Sequence, residues 1–189
     1  MKYLTILLLV ATSISGFAWD KKEKTESKFT TKIWSGKSKK ARFFTPEASI
    51  SMADGTQRRI SDVQVGDQVV TYKNDQYIVT MVKEIAIYEN PSSLLTTAYL
   101  RPAENGNTMV PALLLETSPH HKVLTANGKK RMKKVSKSDI LYHYEIETGK
   151  RTTWKIGAVK TNAKRLTKAY DLKAEDGTFL VDHLMVSNN

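Results

Sequence analysis

Short runs of β-branched and aromatic residues, cut at intervals by turn-forming pairs, dominate this chain from residue 43 onward. The runs lie at 76–82, 82–88, 94–100, 139–146 and 152–161. Branching at Cβ restricts χ1 against a helical turn, and such side chains pack well on a pleated surface. Between the runs stand Asp54-Gly55, Asn74-Asp75, Asn90-Pro91, Asn127-Gly128, Thr148-Gly149 and Asp176-Gly177. Gly, Asn and Asp tolerate the positive φ that tight hairpins demand. Many short strands joined in this way predict an all-β domain. Helix is confined to two short pieces, 60–65 and 132–137, neither long enough to be stable alone.

A weak internal repeat runs through this pattern. Ala53-Asp54-Gly55 leads through Ile60-Ser61-Asp62-Val63 to Gly66-Asp67-Gln68-Val69, and Ala126-Asn127-Gly128 leads through Met132-Lys133-Lys134-Val135 to Ser138-Asp139-Ile140-Leu141. Each copy is a hairpin turn, a short amphipathic connector, then a strand opened by Asp.

The amino terminus has a different character. Met1-Lys2, the apolar stretch Leu4 to Val10 and the small residues Ala11 to Gly16 read as a secretory signal peptide over 1–18, with Gly16-Phe17-Ala18 as its exit. The apolar run is shorter than the ~20 residues a spanning helix needs. The expectation is an exported protein, periplasmic or secreted. Its 189 residues hold no cysteine, which excludes disulfides, thiol catalysis and thiolate metal sites. The formal charge of +11 is uneven: residues 20–42 carry nine Lys or Arg against three acids, while 43–189 carry twenty against sixteen. Residues 19–42 therefore read as a basic, loosely ordered or disordered arm, able to attract an anionic partner.

Five segments carry a family pattern: Phe43-Phe44-Thr45-Pro46-Glu47, Ser51-Met52-Ala53-Asp54-Gly55, Val65-Gly66-Asp67-Gln68-Val69, Thr117-Ser118-Pro119-His120 and Leu184-Met185-Val186-Ser187-Asn188. In this the chain resembles the Hint (Hedgehog/intein) superfamily of self-processing domains, over 43–189. The resemblance implies a Hint-like fold of two pseudo-symmetric curved β subdomains. It also implies an activity: a thiol or hydroxyl on the first residue attacks the preceding carbonyl, a His protonates the leaving amine, and a nearby Thr holds the amide. In inteins a terminal Asn then cyclises and severs the far junction.

Carried over by position, the family's Thr-x-x-His falls on Thr117 and His120, with His121 as a bystander, and the closing Asn falls on Asn188. Ser187 stands where inteins usually have His. The nucleophile position holds Phe43, whose side chain has no lone pair, so the acyl shift cannot begin there. Phe43 reads as an apolar plug in a vacated site. Thr45, two residues on, would share its side in a strand and is a displaced alternative. In the sequence as given only Asn189 follows Asn188, so splicing is not expected.

No other chemistry is signalled. His120, His121, His143 and His183 have neither a Cys partner nor an HExxH spacing, so no metal site and no cofactor is expected. There is no phosphate-binding Gly loop and no Gly-x-Ser-x-Gly elbow. Lys129 to Lys134 form the densest charge run, read first as a solvated face. Three functions remain open: a degenerate Hint-fold scaffold or binding module, a self-processing domain with an atypical nucleophile, and a cationic surface- or nucleic-acid-binding protein.

Overall fold

The computed structural model describes residues 29–35, 40–103 and 113–188. Strands in the first part of the chain are β1 (Thr30–Ser35), β2 (Ser49–Ser51), β3 (Gln57–Arg59), β4 (Gln68–Lys73), β5 (Gln76–Glu89), β6 (Thr96–Pro102) and β7 (Leu113–Thr117). Those that follow are β8 (Lys122–Thr125), β9 (Gly128–Arg131), β10 (Ile140–Glu145), β11 (Lys150–Lys160), β12 (Lys168–Ala174), β13 (Thr178–Val181) and β14 (Leu184–Ser187). The protein is all-β, as its turn-punctuated pattern predicts. The two helical pieces shrink to single 3₁₀ turns at Ile60–Asp62 and Met132–Lys134. No helix of the described residues is long and apolar enough to cross a membrane.

The repeat is real at the level of individual hydrogen bonds. Asp67 accepts the Gln64 amide at 2.8 Å and pairs with Arg58, while Asp139 accepts the Ser136 amide at 2.9 Å and pairs with Lys130. Each residue of the first set lies 72 positions before its counterpart. The Ile60 amide donates to the Ala48 carbonyl at 2.8 Å, and the Met132 amide donates to the His121 carbonyl at the same distance. Strands β4 and β10, and β6 and β12, keep the 72-residue offset end to end.

The halves exchange their last equivalent strand. β6 pairs antiparallel with β11 of the second half, and β12 pairs antiparallel with β5 of the first. Neither half can bury its apolar face alone. The resulting core draws Ile50, Ile60, Val69 and Leu100 from one half and Leu141, Leu172, Phe179 and Val186 from the other.

Residues 76–82 and 82–88, two runs in the sequence, form one strand, β5. The break at Val82 is a change of partner: Gln76–Met81 pair with β4, whereas Val82–Glu89 pair with β12. On the other side of β5, Glu84–Glu89 receive β1 in parallel. Composition suggested a loosely ordered arm over 19–42, yet Thr30–Ser35 form a strand, with Lys32 paired to Glu84. A parallel edge takes hydrogen bonds from the backbone, so six residues poor in core-formers can join a sheet without burying side chains. The signal segment 1–18 and the arm residues 19–28 and 36–39 lie outside the described residues.

Candidate functional site

Phe43 is fully buried, and Thr117 and Ser118 hold its backbone. Its amide donates to the Ser118 hydroxyl at 3.1 Å. Its carbonyl accepts from the Thr117 hydroxyl at 2.8 Å and from the Ser118 amide at 2.9 Å. One residue on, the Phe44 amide and carbonyl exchange hydrogen bonds with Tyr170 of β12. Phe44 also bridges Thr117, 73 positions later, so the chain is pinned where the pseudo-symmetric halves meet.

The Phe43 ring is an apolar plug. It lies among Ala41, Leu95, Leu166 and Ala169, in a cluster separate from the main core, with Tyr88 against it at 5.7 Å between ring centres. Thr45 does not share this environment. The chain turns at Pro46-Glu47, and Thr45 lines a cavity of about 210 Å³ with Glu47, Leu114, Glu116 and Asp182. The strand alternation that would align Thr45 with Phe43 stops at Phe44.

Of the family-position residues, Thr117 places its hydroxyl on the Phe43 carbonyl, the peptide that follows Phe43 rather than the one that precedes it. His120 is half-buried, held below the usual imidazole range by loss of hydration and by the charges of Lys133, Arg131 and Lys40. His121 is the buried one. Its ring packs at a tilt against Phe44 at 4.3 Å between centres, its Nε2 faces Asp171 Oδ1 at 3.3 Å, and its Nδ1 faces the Lys122 carbonyl at 3.2 Å. The sequence carried a signal for this: Ser118 and His121 have the same three-residue spacing as Thr117 and His120, one position later. Asp171 could not be found from spacing, because only the crossing of β12 onto β5 brings it here.

Beside Arg42 a cavity of about 190 Å³ opens, lined by Lys40, Arg42, Tyr88, Asp171 and Lys173. Burial, and then the Asp171 carboxylate, push the Tyr88 hydroxyl up to about 12, so it remains a proton donor.

The far end of the domain reaches the same segment. Ser187 pairs with Lys122 across β14 and β8. Asn188 is buried, its amide nitrogen Nδ2 donating to the Ala174 carbonyl at 3.1 Å and its backbone N–H to the Gly177 carbonyl at 3.1 Å. Its Oδ1 is buried without a partner among the described residues. Phe43 at one end of the 43–188 unit and Ser187 near the other thus both pair with residues 117–122, while the Asn188 amide is held by Ala174. A side-chain nucleophile at the first position is missing.

This paired, strand-swapped architecture, closed around its own first and last residues, is the Hint (Hedgehog/intein) fold. Among solved structures, an intein from a hyperthermophile superposes with a TM-score of 0.65 at 12% identity, covering 78% of this chain and 100% of that one. A DnaB intein from Synechocystis superposes with a TM-score of 0.61 at 13% identity, over 79% of this chain and 99% of that one. A bacterial intein-like domain from Clostridium thermocellum gives 0.56 at 18% identity, over 78% and 99%. No protein-family model and no curated protein matches the sequence.

Proposed function

We propose that this chain is an exported Hint-fold domain that has lost self-cleavage and serves as a scaffold or binding module. The observation that carries the reading is Phe43. An acyl shift needs a sulfur or oxygen poised on the carbonyl before the first residue, and this position holds a benzene ring packed on four apolar side chains. The N-terminal signal-like segment supports export. The basic arm and the run Lys129 to Lys134 support an anionic partner, whose binding would fall steeply with salt.

A second reading, surviving cleavage at Arg42–Phe43, draws on the hydrogen bonds still made to the Phe43 amide and carbonyl. One experiment separates the two. Residues 19–189 are purified and their intact mass is followed for days at neutral pH, with and without hydroxylamine. The scaffold reading expects an unchanged mass. Fragments ending at Arg42 would overturn it.

A further inference from the structure

We propose that His143 and His183 form a binding site for a divalent transition-metal ion of the zinc, nickel and copper group. They stand forty residues apart in the sequence, with no motif spacing. The fold joins them: His143 of β10 lies opposite Leu184 of β14, and the Tyr144 amide donates to the His183 carbonyl at 2.9 Å. The two ring centres are 5.1 Å apart. Imidazoles that share one tetrahedral ion through bonds of ~2.0–2.1 Å place their centres roughly 5 Å apart.

The nitrogens suit the role. His183 Nδ1 faces the Tyr144 carbonyl at 3.2 Å; as the donor there, it leaves the lone pair on Nε2. A backbone carbonyl behind a ligating imidazole is the usual way such a ring is oriented. His143 Nδ1 is buried and has no partner among the described residues. His183 sits at the tip of the two-residue hairpin between β13 and β14, where Asp182 and His183 both take positive φ, 48° and 63°. Asp and His adopt that conformation more readily than most side chains, so the turn itself fixes His183 at the hairpin tip.

A cavity of about 340 Å³ opens onto both rings and is also lined by Gln57, Glu145 and Glu147. The two carboxylates favour a cation there, on a chain that is basic overall. Among the described residues no group of three His, Cys, Asp or Glu side chains is spaced to hold an ion. The site therefore supplies two imidazoles, and water fills the remaining positions. Neutral imidazole suits zinc, copper and nickel, and a site with two protein ligands stays open rather than forming a closed structural cage.

Trp154 provides a reporter, its ring centre 5.7 Å from that of His143. Titrating the purified protein with copper(II) should quench its fluorescence saturably at one equivalent, reversibly with EDTA. His143→Gln and His183→Asn should each weaken binding at least tenfold with the far-ultraviolet spectrum unchanged. Asn accepts the φ of the hairpin tip, so His183→Asn decides the matter if the other variant fails to fold. Quenching without saturation, or an affinity that His183→Asn leaves unchanged, would overturn the site.

Discussion

The Ser118 hydroxyl accepts the Phe43 amide hydrogen at 3.1 Å, while the Ser118 amide donates to the Phe43 carbonyl at 2.9 Å. One residue thus holds the two successive peptide units that flank Phe43. Removing the hydroxyl strands a buried N–H. Ser118→Ala should lower stability by ~1–3 kcal/mol in urea denaturation, because an unpaired buried donor loses its water without compensation. Thr117→Val should cost less, about 0.5–1.5 kcal/mol, since the Ser118 amide still serves the carbonyl. An effect of Thr117→Val larger than that of Ser118→Ala would contradict this ranking.

The Phe43 ring contributes packing. Phe43→Ala leaves a hole among Ala41, Leu95, Leu166 and Ala169 and should destabilise the protein by ~3–5 kcal/mol. Chemical denaturation of the two proteins measures it. A loss under about 1 kcal/mol would mean that the ring is not the plug described.

The His121–Asp171 contact ties the β7–β8 connection to β12. Both side chains are buried. A double-mutant cycle with His121→Ala and Asp171→Ala should return a coupling of roughly 0.5–3 kcal/mol, whereas the same cycle with His120 in place of His121 should return about zero. Equal coupling in the two cycles would remove the distinction between the neighbouring histidines.

Asp139 should make stability depend on acid. Burial alone would raise its carboxyl, but the Lys130 and Ser136 hydrogen bonds and the Lys130 charge outweigh it, so the folded group lies below the usual carboxylate range. The folded state therefore holds the proton less tightly than the unfolded chain, whose carboxyl titrates near ~3.9. The stabilisation is present above that pH and fades as pH falls through it to the lower folded value. Wild type should exceed Asp139→Asn in stability at pH 6, with the gap closing below about pH 4. A gap that persisted unchanged to pH 2.5 would exclude this carboxylate as its source.

Local chemistry decided much of this protein in advance. Branched and aromatic runs and pairs such as Asn74-Asp75, both at positive φ, dictate strand and turn through nearest-neighbour sterics, so the all-β class and the hairpins could be read directly. Phe43 could be read as a plug from its side chain alone: a hydrocarbon ring has no atom that attacks a carbonyl. The repeat was legible because each copy is short and contiguous.

Contacts between distant strands lay beyond that reading. Spacing alone could not show which of His120 and His121 is buried, because both lie three residues after a hydroxyl side chain; packing against Phe44 and Asp171 buries His121. β1 escaped composition because backbone hydrogen bonding to β5 is blind to side-chain type. Asp171 beside His121, and His143 beside His183, arise from the crossing of strands between halves and from a turn of the chain forty residues later. Pairing between such distant segments is settled by the free energy of the assembled core, which no local window of sequence contains.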